Sequence, residues 1–508
     1  MQLEQDRRPA VAAHSVAAVR AAEGAALAGL PPGAPDALMQ QAATAVAVTA
    51  ARALREATGG IAGRAAVLLV GSGDNGGDAL WAGVRLRRRG VAVTALLSAD
   101  TAHPAGLAAV RVAGARVLRV SSPPSATDLA PLAAADLVID GLVGLGGRPG
   151  LREPATSLVD RIPASAVVVA VDVPSGVDVD SGALPGPHVQ ADVTVTLGAA
   201  KRCLLLPPAS TAAGRVEVFD LGFDVPPAPL RRLDAAGVGA LWPVPAPGAD
   251  KYRRGVLGMV AGSAGYPGAA VLATSGAVRA GVGMLRYVGP DDATRAVRSA
   301  HPEVVAGAGR VQAWALGSGV NPDADDDQPA AIRSALDSGL PCLLDAGALE
   351  VWAAGVHRDP DDASDRLLLT PHAGELASLL GTLGLPRERA DVEERPFEHA
   401  HAAAELTGAC VLLKGATTLV VTPDGEARSQ AEAPAWLATA GAGDVLAGVA
   451  GALLAGGVRP LDAGAAAAWV HGRAATLASR AAGGGGGPIA ASDVAAHVPA
   501  AVAEALAP

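Results

Sequence analysis

Residues 439–455 read TAGAGDVLAGVAGALLA: small residues and glycines lead into Asp444, and an apolar run follows. The run is long enough for about four turns of helix, so the backbone N–H groups of Ala442, Gly443 and Asp444 stand at its open start. Amides in that place converge on negative charge developing at a transferring phosphoryl group, and Asp444 beside them is placed to take a proton from an attacking hydroxyl. An isolated Gly–Asp pair commonly does no more than cap a helix; the flanking TAGAG argues for the phosphoryl reading.

Working back from that turn, strands and helices alternate. The pattern predicts strands at Val256–Ala261, Met284–Val288, Trp314–Leu316, Pro341–Asp345, Leu367–Thr370 and Cys410–Lys414. Helices are predicted at Ala269–Arg279, Pro329–Ser338 and from Glu375, with two long Ala-rich helices beyond Gly443. Such alternation builds a mainly parallel sheet, whose ligands sit beyond the carboxyl ends of the strands. Several strand exits carry glycine or polar residues: AGSAGYPGAA (261–270), HPEV (301–304), ALGSG (315–319), TPHAGE (370–375) and KGATT (414–418). Lys414 and the hydroxyls of Thr417 and Thr418 suit the phosphates or ribose of a nucleotide. His372 lies on the same sheet edge.

The first half follows the same logic. Helical periodicity covers Val16–Leu27 and Asp36–Glu56, and strands are predicted at Ala65–Val70, Val91–Leu97, Arg116–Val120, Leu137–Asp140, Val167–Asp172, Asp192–Leu197 and Arg215–Asp220. Three strand exits are rich in glycine and oxygen: GSGDNGGD (71–78), DGLVGLGG (140–147) and DVPSGVDVDSG (172–182). Glycines let the backbone approach a phosphate at a helix start. Asn75, Asp140 and Ser175 are hard oxygen donors suited to a weakly held potassium or sodium ion. Asp172, at a strand tip, is the candidate for acid–base work. Lys201 is a candidate for neutralising a phosphate, or else forms a surface ion pair. A Pro-rich stretch around FDVPPAPL and WPVPAPGADKY reads as a linker, which divides the chain into domains 1–225 and 226–508.

Composition bounds the reading. Half of the 508 residues are hydrophobic but only 2% aromatic, so the core is expected to be Ala, Val and Leu in close layers. The length suits two domains of roughly 200–280 residues. A formal charge of −10 argues against a nucleic-acid or membrane-surface partner, which calls for a basic stripe. Cys203, Cys342 and Cys410 are too scattered for a disulfide framework or a thiolate zinc site and fit a reducing cytoplasm. The N-terminus lacks the layout of a signal peptide, and the longest uncharged run, Gly255–Val278, is broken by glycine and proline. Only three of the 40 basic residues are lysine, Lys201, Lys251 and Lys414.

The first-half loops, with the downstream ADVTVTLGAAK, resemble the YjeF N-terminal family, epimerases of hydrated NADH and NADPH, over roughly residues 15–222. The resemblance implies a Rossmann-like α/β/α sandwich that interconverts the two epimers with the help of potassium. By position, Asp74, Asn75, Gly76, Gly77, Asp78, Gly144, Leu145, Gly146, Gly147, Arg148, Pro149, Gly150 and Asp172 would hold the dinucleotide. Asn75, Asp140 and Ser175 would hold the potassium. The chain departs from the family at Asp74, Ala79 and Leu145; a carboxylate at Asp74 repels a pyrophosphate, so contact there falls to the backbone.

From about Lys251 to Pro499 the second half resembles the YjeF C-terminal family, ADP- or ATP-dependent dehydratases of hydrated NAD(P)H with a ribokinase-like α/β fold. The resemblance implies phosphorylation of the substrate's C6 hydroxyl, loss of phosphate and recovery of the dihydronicotinamide. Ala269, Gly319, His372 and Asp444 would contact the hydrated dinucleotide. Lys414, Gly415, Ala416, Thr417, Thr418 and Gly443 would contact the adenine nucleotide, with magnesium bridging the phosphates. A soluble, cytoplasmic homo-oligomer is expected. The alternative is a small-alcohol kinase in the second half joined to a non-catalytic binding scaffold in the first.

Overall fold

A computed structural model describes residues 10–29, 36–323, 327–355, 363, 365–481, 483 and 485–507. The chain forms two compact units: one is Ala12–Ala228, and the other joins Pro229–Pro508 to the residues up to Val11.

In the first unit a parallel sheet of seven strands runs in the order Arg116–Arg119, Ala92–Leu97, Ala65–Val70, Leu137–Gly141, Val167–Val171, Val193–Leu197, Arg215–Phe219. The run AAVLLV shows why it is central. Ala66, Leu68 and Val70 join the core on one face, and Val67 and Leu69 the core on the other. Continuous apolar strands of this kind need cover on both sides. Strand order reverses between Ala65–Val70 and Leu137–Gly141, and the loops GSGDNGGD and DGLVGLGG leave from those two strands. A crevice at such a reversal is where open α/β sheets bind ligands.

The second unit repeats the plan. Its parallel strands run Val305–Ala306, Met284–Val288, Val256–Val260, Ala313–Leu316, Cys342–Leu344, Leu367–Leu369, Cys410–Leu413. The reversal falls between Val256–Val260 and Ala313–Leu316, and there the Gly262 N–H donates to the Ser318 carbonyl at 2.7 Å. Two antiparallel strands, Thr418–Val421 and Ala427–Gln430, extend the sheet.

The Pro-rich stretch is not wholly a linker. Leu230–Leu233 pairs in parallel with Ala427–Gln430, and Ala235–Leu241 is helical. Leu230 and Leu233 are buried while Arg232 Nε donates to the Ser429 carbonyl at 3.0 Å, so the strand is short, charged and hidden among prolines.

With few aromatic side chains, helices pack backbone to backbone. Helix Pro267–Arg279 meets helix Ala442–Ala455 so closely that a Cβ on Gly448 would lie 2.0 Å from the Ala273 carbonyl oxygen, and one on Gly276 2.3 Å from that of Val445. Overpacking here would cost about 1–3 kcal/mol or more. The contact fixes the helix whose first turn carries Asp444. Among the described residues no helix is long and apolar enough to cross a membrane.

Candidate active sites

Helix Ala442–Ala455 starts from Gly441, whose φ of 83° is left-handed, a conformation glycine adopts without steric cost. No side chain caps this helix, and its first turn is loosely tied: the Ala442 N–H reaches back to the Thr439 carbonyl at 3.4 Å. The amides of Gly443 and Asp444 thus sit in the open first turn expected of an anion site.

Asp444 is half-buried. Burial first, then the Asp345 carboxylate, pushes its carboxyl up to about 7, against the pull of the Lys414 ammonium and of the Ser318 hydroxyl. Asp345 is buried at the carboxyl end of Cys342–Leu344 and anchors a network. It accepts from Ser318 Oγ at 2.9 Å, Thr370 Oγ1 at 2.9 Å and Lys414 Nζ at 2.8 Å. Lys414 Nζ also lies 3.5 Å from Glu375 Oε2. Desolvation works against its charge, but the two carboxylates prevail and hold it above the ordinary lysine value.

Glu375 closes a capping box with His372: the His372 N–H donates to Glu375 Oε2 at 2.8 Å and the Glu375 N–H to His372 Nδ1 at 3.1 Å. The ring of His372 therefore caps its helix. His372 and Lys414 face each other across a parallel bridge. Gly443 abuts the lysine, since a Cβ there would be 3.6 Å from Nζ. At the strand-order reversal, a Cβ on Gly319 would be 2.5 Å from the Ala269 methyl. Ala269, Gly319, His372, Lys414, Gly443 and Asp444 are thus linked along one sheet edge, while Gly415 and Ala416 are exposed in the turn leading to Thr417 and Thr418.

Sequence reading passed over Asp345, Ser318 and Thr370 as functional residues. The signal was a carboxylate directly after the strand CLL, unpaired by any neighbour in sequence. It also passed over His471 on helix Pro460–Ala481. Burial first, and the Lys414 charge, lower His471 to about 4 against a hydrogen bond to the Ala442 backbone, so it is neutral at pH 7.

In the first unit the glycine loops converge at the reversal. Asn75 Nδ2 donates to the Val171 carbonyl at 2.7 Å, and Gly144 presses on its amide, where a Cβ would be 2.3 Å from Oδ1. Asp140, fully buried, accepts from Ser175 Oγ at 2.7 Å and the Ser175 N–H at 2.8 Å. Burial, opposed by those hydrogen bonds, pushes Asp140 up to about 6. Among the described residues Asp140 accepts only from neutral donors, the Ser175 hydroxyl and the N–H groups of Ser175 and Leu142, and the Asp140 carboxylate, Ser175 hydroxyl and Asn75 amide carry at most one negative charge between them. This donor set fits a weakly held monovalent cation.

The loop 144–150 is mostly exposed but tied at both ends: Gly147 N–H to the Gly144 carbonyl at 3.0 Å, and Gly150 N–H to the Gly176 carbonyl at 2.8 Å. Leu145 offers its carbonyl to Arg20 Nη2 at 3.2 Å, and Gly146, Arg148 and Pro149 face solvent. Asp74 is exposed at the start of helix Asp74–Arg88, whereas Gly76, Gly77 and Asp78 are buried in its first turns.

Asp172 follows strand Val167–Val171 with φ 70°, a left-handed conformation uncommon for a residue with a side chain. The expected alternatives for Lys201, a phosphate partner or a surface ion pair, need correction. Lys201 is 1% exposed and paired with Asp172 Oδ1, and its Nζ also donates to the Leu197 carbonyl at 2.8 Å. Its ammonium is consumed inside the unit, because a buried charge needs a partner.

Comparison with known proteins gives the same division. A family model described as NAD(P)H-hydrate dehydratase matches residues 257–495, and one described as YjeF-related protein N-terminus matches 35–203. A bifunctional NAD(P)H-hydrate repair enzyme of Mycobacterium leprae is 44% identical over 506 residues, 96% of this chain and 99% of the relative. One of Corynebacterium glutamicum is 36% identical over 83% of each chain. An ADP/ATP-dependent NAD(P)H-hydrate dehydratase from Bacillus subtilis, co-crystallised with ATP and magnesium, is similar at 24% identity and a TM-score of 0.44, over 53% of this chain and 96% of that one. With both models matched in tandem and relatives spanning nearly its whole length, the chain belongs to the family of bifunctional NAD(P)H-hydrate repair enzymes.

Proposed function

We propose that the second unit dehydrates hydrated NADH or NADPH at the expense of ADP or ATP, and that the first interconverts the two epimers so that both are repaired. The observation that carries the dehydratase reading is Asp444, a carboxyl poised near 7 at an open helix start beside Lys414 and Gly443. A base poised there can take the C6 hydroxyl proton as the oxygen attacks the terminal phosphoryl group. Amides of Gly443 and Asp444 hold the charge that develops, and Lys414, Gly415, Ala416, Thr417 and Thr418 hold the nucleotide. Ala269, Gly319 and His372 position the dinucleotide. Phosphate then leaves and the ring regains its double bond.

Magnesium would offset the negative charge of the nucleotide phosphates. In the first unit Asn75, Asp140 and Ser175 would hold potassium, which would supply a fixed positive charge beside the dinucleotide. Asp172 would act in acid–base catalysis at C6.

Mixing the protein with ADP, magnesium and hydrated NADH should release inorganic phosphate and restore dihydronicotinamide fluorescence. A stable phosphoester product would instead identify a small-alcohol kinase. Epimer exchange followed by chromatography should accelerate with protein and again with potassium; exchange at the spontaneous rate would leave the first unit a binding scaffold.

A further inference from the structure

We infer that Asp78 is a second catalytic carboxyl of the epimerase, the proton donor to the departing C6 hydroxyl, while Asp172 receives the proton of the water that returns. This rests on the epimerase reading above and assigns the chemistry within it. Asp78 is 6% exposed, and its Oδ1 is buried with no hydrogen-bond partner among the described residues. Such an oxygen is costly to leave unmatched, and one seen in a native fold asks for a reason.

The charged groups facing it come from several elements. Asp172 lies at the tip of strand Val167–Val171 with Lys201 bound to it, Asp74 is on the helix of Asp78 itself, and Glu23 is on helix Val16–Ala28. Arg20 acts on Glu23 from the same helix, and the His103 ring packs where a Cβ on Gly77 would be. Burial first, then the carboxylates of Asp172, Asp74 and Glu23, lift Asp78 well above the ordinary carboxyl range. Lys201 takes one carboxyl for its ion pair, and among the described residues no cationic side chain pairs with the other. Two carboxyls in contrasting surroundings are how one site supplies both an acid and a base at the same pH.

The substrate is a carbinolamine, with the C6 hydroxyl beside ring nitrogen N1. The Asp78 proton passes to that hydroxyl, the C6–O bond breaks, water departs, and the N1 lone pair forms the N1=C6 iminium bond. Water then adds to the opposite face of C6, the iminium pair returns to N1, and the released proton goes to Asp172. The result is the other epimer, with one proton moved between carboxyls and exchanged back through solvent. Lys201 is a positioning residue in this scheme.

The test is Asp78→Asn in the full-length protein, with epimer exchange measured at saturating substrate and the ADP-dependent dehydration of the correct epimer as a folding control. The amide matches the shape of a protonated carboxyl but cannot give up a proton as an acid. We expect kcat for exchange to fall about 100-fold or more with KM within about threefold, and dehydration unchanged. A kcat within about threefold of wild type, or a loss confined to KM, overturns the assignment. If the variant misfolds, the wild-type pH profile decides: kcat should decline as pH rises through the titration of Asp78, and a profile with no alkaline decline anywhere in the range where the protein stays folded overturns the proposal. Wild-type protein that fails to accelerate exchange at all defeats the epimerase reading instead.

Discussion

The two units each bury a lysine against a carboxylate just past a strand tip, and the pairs behave differently. Lys201–Asp172 is sealed, with side chains 1% and 7% exposed and the ammonium satisfied by Thr196 and the Leu197 carbonyl as well. Lys414–Asp345 is open on the lysine side, 20% exposed, and the ammonium is shared with Glu375. A sealed pair holds its carboxylate in one position. A shared lysine can exchange one carboxylate for an arriving phosphate without being left alone in a dry interior. The third lysine, Lys251, is exposed beside the Tyr252 ring and belongs to neither pattern.

The sharpest way to separate the units is Asp444→Asn, expected to cut dehydration by about 1,000-fold or more while epimer exchange continues. Loss of both activities in folded protein would show that the units are not independent. Next in size, Lys201→Met should strand Asp172 in a dry site, costing about 3–5 kcal/mol and lowering the melting temperature of the first unit by roughly 10 °C. Lys414→Met should spare stability more and instead raise the nucleotide KM by about 10–100-fold. Equal melting shifts in the two variants would erase the distinction drawn between sealed and open pairs.

Smaller still is the pH effect. The base must be ionised to accept a proton, so dehydration kcat/KM should fall below pH 7, about tenfold per unit, following the Asp444 value of about 7. The smallest effect concerns stability. Asp444 is raised in the fold, so its contribution is full at low pH and is lost as pH rises through about 7. At pH 8 Asp444→Asn should therefore melt no lower than wild type in a calorimetric scan.

Much of this was legible in the sequence because strand exits carry their own punctuation. The runs AAVLLV and CVLLK, each followed by glycine, announce a buried strand and a loop that can receive a ligand, and TAGAGD adds the helix start. Both family resemblances rested on those loops. What was not legible depended on distance in the chain. Lys201 meets Asp172 only because Ala200–Lys201 folds back beside its strand tip, and Lys414 meets Asp345 across 69 positions. Leu230–Leu233 was hidden because prolines flank a strand that pairs with Ala427–Gln430, about 200 residues away. The role of Asp78 in the fold, likewise, is set by charges from three separate segments.

The glycine contact between helices Pro267–Arg279 and Ala442–Ala455 carries a last consequence. Main chain resting on main chain offers no rotamers to reshuffle, so the dipoles at the start of the second helix are held in place before a nucleotide arrives. Water would have to reorient around each new charge; this surface would not, and the saving falls on the barrier itself.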